Sequence, residues 1–476
     1  MQKQKSQQGP PGRPPDDPLL DALAVVFGCA AVAFLFHRYA PAAYMDEPFH
    51  VPQTQRYCRG DFMHWDPKIT TFPGLYVAGA AYSRALRALS LIWRPLPLSA
   101  ACGTTALRSL NVLLAGACFL VTRALCLRLH PRQGRNYATL SAAVLTLLPT
   151  HFFFVFLYYT DVGSLMLVLA AYLASLHDRP HLAALLAAGA VAFRQTNAVW
   201  AALVLGSAVL RRVMGEDPRR WAGASVEAQL KYSLRAAWQR KRELAAELWS
   251  LALVPAGFAG FMAVNGGVVV GDRAHHSPAA HWAQPLYLLL FAAAAFAPVH
   301  LHPRRLLQAA RAMKSAARAQ PGRFTRMTAV ALVLVAYAIH LGTLAHPFLL
   351  ADNRHYTFYI WKDVINAHPA ARYAMAPAYI YSAWSLREAL AGGPRHALWA
   401  AGLAACTAAV LVPSPLVELR YFTVPAVLVA LHSCPPSRAQ LLLTAAAFAA
   451  VNVATIALFL FRPFRWPDGS VARLMW

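Results

Sequence analysis

The segment YMDEPFH, Tyr44 to His50, sets two carboxylates side by side, Asp46 and Glu47, shortly after an apolar run from Leu19 to Phe36. Acids are scarce in this chain, 20 Asp plus Glu against 44 Lys plus Arg. A carboxylate where a hydrophobic helix leaves a membrane suits general-base work: it can take a proton from a hydroxyl too weakly acidic to ionise near neutral pH. Other segments carry groups of similar potential. They are HWDPKITTFPGLY with His64, Trp65 and Asp66; YYTD ending at Asp161; and RQTN with Arg194 and Gln195. HPFLLADNRHYTFYIW holds His346, Asp352, Arg354 and His355, and ELRYF holds Glu418 and Arg420. Ionisable groups at membrane depth are costly and point to a site. None of these strings is a phosphate loop, a serine-hydrolase elbow or a His-rich metal motif.

Each candidate also has a purely structural reading. Asp46 and Glu47 can cap the helix that starts near Pro48, and Asp161 the one that starts at Val162. HWDP reads as a turn set by Asp66-Pro67. Arg354 and Arg420 can snorkel to the interface, Tyr158 and Tyr159 read as an aromatic belt, and His275 and His276 read as loop residues.

These groups need a scaffold, and composition says which kind. Of 476 residues, 58% are hydrophobic and 13% charged. Repeated apolar runs of about 20 residues predict a polytopic, all-α membrane protein. The net charge of +24 would also suit nucleic acid, but the basic residues sit in short blocks between apolar runs. The positive-inside rule accounts for that pattern better, and nucleic-acid binding is not expected.

Lys3, Lys5 and Arg13 place the N-terminus in the cytosol and YMDEPFH on the far side. Residues 1–18 read as a disordered, Pro/Gly-rich tail, and 19–476 as one membrane domain. Ala40-Pro41-Ala42 mimics a signal-cleavage site, but the apolar run is long enough for a retained anchor. Spans at Leu107–Leu127, Tyr137–Leu157, Val162–Leu176 and a short hairpin tipped by RQTN follow. Later ones are Trp249–Val264, Leu286–Val299, Val330–Leu344, a pair around GGPRH and, at the end, Leu441–Phe461. With about 13 spans, the basic loops 128–136, 211–242 and 301–326 all fall in the cytosol. Every candidate group listed above then shares the opposite side. The first far-side loop, 43–105, is long. Within it EPFHVPQTQRYC reads as an amphipathic helix lying on the membrane, and LRALSLIWRPLPL as a second interfacial segment. Cys29, Cys118, Cys126 and Cys406 read as small core residues. Cys58 and Cys102 share the far side, where a disulfide between them is possible.

The strings MDEPFHVPQTQRYCRGDFMHWDPKITTFPGLY, FLYYTDVGS, FRQTNAVW, HPFLLADNRHYTFYIW and ELRYF, in that order, reach from the first span to near the end. On them the chain resembles the dolichyl-phosphate-glucose-dependent α-1,2-glucosyltransferases of the endoplasmic reticulum, which add the last glucose to the lipid-linked oligosaccharide for N-glycosylation. The resemblance implies a GT-C type membrane fold, with dolichyl phosphate glucose as donor, the lipid-linked oligosaccharide as acceptor, surrounding membrane lipid and a luminal active site. In that superfamily an acid just after the first span is typically essential; Asp46 holds that position, with Glu47 adjacent. A second acid after the third span matches Asp161. The carboxylates of the superfamily's metal-dependent branch are not found at the same spacing, so neither metal nor cofactor is expected.

A β-linked donor and an α-linked product imply inversion by a single in-line displacement. That leaves Asp46 as the base on the acceptor hydroxyl, with Glu47 positioning or capping. The phosphate leaves as a stable anion and needs cations or donors: Arg354, Arg420, His346 and His355. His64, Trp65, Asp66, Arg194, Gln195, Asp352 and Glu418 are expected to bind substrate. Read without the resemblance, the same residues also fit a transporter or channel component, or a sibling transferase using another polyprenyl-phosphate sugar.

Overall fold

A computed structural model describes residues 17–273 and 277–476. Lys3, Lys5 and Arg13, the expected disordered tail up to residue 16, and His275 and His276 lie outside the described residues. The chain is predominantly α-helical. Its one sheet among the described residues is a two-stranded hairpin, Phe464–Arg465 against Val471–Ala472.

Among the described residues, six helices are long and apolar enough to cross a membrane: Pro18–Tyr39, Thr104–Leu129, Asn197–Met214, Lys241–Asn265, Pro321–Gly342 and Arg438–Phe461. Five shorter apolar helices accompany them, Asp161–Leu176, Pro180–Phe193, Gln284–Ala295, Ala397–Leu411 and Leu419–His432. This is an all-α polytopic membrane protein. Local chemistry sets several ends. Asp17 accepts from the Leu19 amide at 2.9 Å ahead of Pro18. Ser437 and Gln440 form a reciprocal capping box.

The expected span Tyr137–Leu157 is not continuous. It runs as Gly134–Thr146 and Pro149–Phe156, bent by 65°. Pro149 has no amide hydrogen to give and pushes Leu148 out of the helical region. The break delivers Tyr158 and Tyr159 to the protein interior. The aromatic-belt reading of these two is therefore wrong: they are 0% and 1% exposed. The Tyr158 hydroxyl donates to the Leu75 carbonyl at 2.8 Å and sits 3.0 Å from Thr54 Oγ1. It fits only because residue 79 is glycine, where a Cβ would come within 2.2 Å of that oxygen.

The Thr104–Leu129 helix is central, packing on Pro18–Tyr39, Gly134–Thr146 and Asp161–Leu176. A second group joins Gln284–Ala295 to Ala376–Ala391, with Pro321–Gly342 against the latter. Pro321–Gly342 is almost wholly exposed along its apolar length, as a helix facing lipid tails is. The basic segments expected as loops at 211–242 and 301–326 are largely helical, as Val226–Gln239 and Pro303–Ala319. Arg, Lys and Ala are strong helix formers, and the long side chains stand off the surface.

In the 43–105 loop, the Glu47–Cys58 helix packs against Gly74–Ser90. It does not lie on a bilayer as expected: Glu47, His50, Val51, Gln53, Thr54 and Tyr57 are buried. Too few of its side chains are left to face lipid. A disulfide joins Cys58 to Cys102 and ties the end of that helix to the entry of Thr104–Leu129. By contrast, Leu89, Leu91, Ile92 and Trp93 stay exposed after the Gly74–Ser90 helix, the pattern of an interfacial anchor.

Candidate active site

The two adjacent acids are held in opposite ways. Met45 adopts φ of 58°, a left-handed conformation that costs a non-glycine residue about 1–3 kcal/mol. It sets the bend by which the chain enters the Glu47–Cys58 helix, and one helical step from the N-cap Asp46 to Glu47 points the two side chains in different directions. Glu47 is fully buried. It accepts from Arg108 Nε at 2.8 Å and Nη2 at 2.5 Å, from the Tyr158 amide at 2.7 Å and from the Tyr44 amide at 2.9 Å. Arg108 also donates to the Ala40 and Ala42 carbonyls at 2.8 and 2.9 Å. Glu47 accepts four hydrogen bonds and Arg108 donates four, the dense pairing that buried charges need. Glu47 thus clamps the loop to the Thr104–Leu129 helix. The capping reading holds in part: its acceptance from Tyr44 straps the turn at the helix start.

Asp46 makes no capping bond through its side chain. Its amide donates to the Tyr159 hydroxyl at 3.0 Å. Its Oδ2 lies 3.4 Å from Arg420 Nη1, and the same nitrogen lies 3.7 Å from Asp161 Oδ2. Glu418 binds Arg420 Nε. The Arg420 guanidinium also faces the rings of Phe154, Tyr159 and Tyr421 at 5.4–5.8 Å. One arginine is thus ringed by three carboxylates, whose side-chain exposures differ: 40% for Asp46, 8% for Asp161 and 11% for Glu418. Burial pushes the Glu418 carboxyl up, but Arg420 beside it more than reverses this and holds it below its ordinary value.

Asp161 sits in the first turn of its helix without a capping bond. Its Oδ1 takes Arg194 Nη1 at 2.5 Å, and its buried Oδ2 has no hydrogen-bond partner. Arg194 lies over Tyr421 at 5.4 Å. The next residue, Gln195, donates instead to the Thr70 carbonyl and fastens RQTN to the TTFPGLY loop.

Arg354 is bound twice by Asp352, at 2.8 and 2.7 Å, and stacks on Trp466 at 4.3 Å. This is the salt bridge within the loop, and Arg354 holds Asp352 below the ordinary carboxyl value against the upward push of burial. His355 Nδ1 donates to the Trp476 carbonyl at 3.1 Å, and Nε2 lies 3.9 Å from Asp352. His346 caps Pro347–Ala351, accepting from the Phe348 amide.

A cavity of about 120 Å³ opens between these parts. Met45, Asp46, Tyr159, Asp352, His355, Glu418, Arg420 and Met475 are on its wall, and Asp161 lies behind Arg420. The structure therefore gathers Asp46, Asp161, Arg194, Glu418 and Arg420 into one cluster, with Asp352 and His355 on the same wall. Arg354, His346, Gln195, His64, Trp65 and Asp66 do not line it. The expected turn set by Asp66-Pro67 runs from Asp66 to Ile69, whose amide donates to the Asp66 carbonyl at 3.0 Å, and His64 and Trp65 lead into it. The Asp66 carboxylate accepts from Lys68, while Gln53 bridges the His64 carbonyl and the Asp66 amide.

Sequence reasoning missed four parts of the site. Arg108, inside an expected span, was a visible signal, because a charge there demands a partner. His50 hydrogen-bonds Tyr76 through Nδ1 at 2.8 Å, and burial lowers its pKa. Tyr159 holds the Asp46 amide. Finally, the segment after Phe461 folds back: the Met475 amide donates to the Arg354 carbonyl at 2.8 Å, and the Arg473 amide to the Tyr44 hydroxyl at 2.6 Å. No motif in RLMW announces this.

The model of the DIE2/ALG10 family matches residues 40–431, which contain the whole cluster. An Arabidopsis thaliana protein named Dol-P-Glc:Glc(2)Man(9)GlcNAc(2)-PP-Dol alpha-1,2-glucosyltransferase is 35% identical, over 94% of this chain and 97% of its own length. Proteins of the same name from Homo sapiens and Yarrowia lipolytica are 33% and 31% identical, each over 96% of this chain and 98% of their own. No solved structure matches. A match across most of the sequence, cavity and cluster included, means that this chain belongs to the DIE2/ALG10 family.

Proposed function

We propose that this protein transfers glucose from dolichyl phosphate β-glucose to the 2-hydroxyl of the terminal glucose on the diglucosylated lipid-linked oligosaccharide, inverting to an α-1,2 linkage. The observation that carries the reading is the state of Asp46. Of the three carboxylates around Arg420 it alone is substantially exposed, and no capping bond occupies it. Asp46 takes the proton as the 2-hydroxyl oxygen attacks the anomeric carbon. The bond from that carbon to the phosphate oxygen breaks, and dolichyl phosphate departs as an anion with no proton needed.

Arg420 and His355 are the leaving-group side. The Arg420 contacts to Asp46 and Asp161, 3.4 and 3.7 Å, are longer than the roughly 2.7–2.9 Å of a firm charge-assisted bond. They can yield to phosphate oxygens, whereas Arg354 is already spent on Asp352. The unbonded Asp161 Oδ2 accepts a sugar hydroxyl. The cavity is smaller than the roughly 300 Å³ of a typical ligand pocket. Both substrates therefore need more room than the cavity offers in this structure.

The same reading takes the fold as GT-C type, in the membrane of the endoplasmic reticulum. Counting the bent pair, the five shorter apolar helices and Ala376–Ala391 as crossings brings the total to 13. The N-terminus and the basic segments then face the cytosol and the cluster faces the lumen. Purified protein given dolichyl phosphate glucose and the diglucosylated acceptor should add one hexose by mass; no added hexose refutes the activity. Single cysteines in sealed microsomes should react from the cytosol at 226–239 but not near Asp352; cytosolic labelling near Asp352 refutes the topology.

A further inference from the structure

A cavity of about 1320 Å³ lies at the opposite end of the helices from the cluster. The Ala397–Leu411 helix separates the two, with His396 at the large cavity and Leu416 to Glu418 at the small one. Fifteen residues of helix put the mouth at His396 roughly 22 Å from the small cavity, and the lining runs along that helix as far as Thr407. None of the residues of the cluster lines this space.

Its lining divides in two. The mouth carries Arg128, Arg132, Arg219, Arg387 and Arg395 against the carboxylates of Glu216 and Asp217. Glu216 is taken by Arg128 at 2.7 Å. Arg132 and Arg219 have no acidic partner among the described residues. Arg395 is fixed by the Tyr172 hydroxyl at 3.0 and 3.2 Å. The interior is apolar, with Leu288, Leu289, Leu403 and Val429, and the small side chains of Ala400, Ala401 and Ala404 leave it open. The mouth is shaped by GGPRH: a Cβ at Gly393 would come within 1.8 Å of the His432 carbonyl oxygen, so only glycine allows that turn. His396, 5% exposed, lines the cavity, and its buried Nδ1 has no hydrogen-bond partner.

We propose that this cavity binds one anionic phospholipid of the adjacent leaflet, with a headgroup that carries hydroxyl donors as well as a phosphate. Phosphatidylinositol is the type. The phosphate is held by the arginine rim. A headgroup hydroxyl meets the open acceptor of His396, and the acyl chains fill the apolar interior. A small soluble ligand would leave much of that interior empty, since pockets for such ligands run to about 1,000 Å³. A free phosphate would leave all of it empty.

The test is native mass spectrometry of the full chain, released from phosphatidylcholine nanodiscs that also hold dioleoyl phosphatidylinositol. Dioleoyl phosphatidylcholine and soluble inositol phosphate serve as comparison ligands. One phosphatidylinositol should be retained, about tenfold in preference to phosphatidylcholine, and inositol phosphate should not bind measurably. The double variant Arg132→Gln/Arg219→Gln should reduce the preference to about threefold or less. Ala404→Phe, which fills the interior without touching charge, should lower retention of phosphatidylinositol. Thermal unfolding of both variants in phosphatidylcholine should match the parent, so that loss of binding is not loss of fold. Equal retention of the two lipids, or an unchanged preference in both variants, overturns the proposal. Binding of inositol phosphate alone would assign the site to a soluble anion instead.

Discussion

Two acid–arginine assemblies flank the same turn, and they do opposite things. Glu47 and Arg108 form a closed pair, with both side chains buried, every charge-assisted contact short and two backbone carbonyls taking further Arg108 donors. Asp46, Asp161, Glu418 and Arg420 form an open one, in which contacts stretch to 3.4 and 3.7 Å and one carboxylate is exposed. A closed pair, buried and with its carboxylate fully bonded, holds the fold. An open one retains bonding capacity for a substrate. Adjacent residues of like charge therefore differ in role because their partners differ, and one step of the helix start points them apart.

The largest expected effect breaks the open assembly. Asp46→Asn keeps shape and loses basicity, and should lower turnover by about 100-fold or more with unfolding temperature unchanged. Near-full turnover would move the base to Asp161. The matching change in the closed pair is Glu47→Gln. It leaves Arg108 buried without its counter-ion, so stability should fall by about 3–5 kcal/mol, while turnover per folded molecule should drop far less than for Asp46→Asn. Thermal unfolding and activity normalised to folded protein separate the two.

A finer contrast lies between the two loop arginines. Arg420→Lys should slow catalysis by roughly tenfold or more, because a point charge cannot replace the fork at phosphate oxygens. Arg354→Lys should be tolerated in turnover, since Arg354 is spent on Asp352 and Trp466. Equal losses in steady-state kinetics would mean that both arginines reach the donor.

The smallest effect concerns His50, which packs beside Asp46 and whose pKa burial lowers from 6.5. The folded protein then binds fewer protons than the unfolded chain. The stability this contributes is complete above about pH 6.5 and is lost as pH falls from there toward the folded pKa. Unfolding temperature should decline over that window, and His50→Asn should flatten the decline. An identical slope in the variant would remove His50 as its source.

Much of the molecule was legible from pattern. Apolar runs marked the helices, and the cluster residues stood out because charges are rare in such a chain. The errors have local causes. Pro149 broke a span that hydropathy reads as continuous, because hydropathy does not register a lost amide donor. Tyr158 and Tyr159 resembled a belt because their composition is the same whether they meet lipid headgroups or the Glu47 carboxylate and the Asp46 amide. The basic segments read as loops because blocks of Arg and Lys mark a side of the membrane and say nothing of backbone conformation.

What the sequence by itself determined is the class of protein and the identity of the reactive groups: an all-α membrane chain, and the acids and arginines at the turns between its helices. Both follow from transfer free energies that act residue by residue. Only the tertiary structure decided which of two neighbouring carboxylates is sealed and which is open. It also decided that Arg354 is spent while Arg420 lines the cavity, and that Met475 closes one wall. Those outcomes depend on partners 61 to 374 positions away, Arg108 for Glu47 and Arg420 for Asp46. The energy of an ion pair depends on distance and burial, and neither exists until the chain has folded.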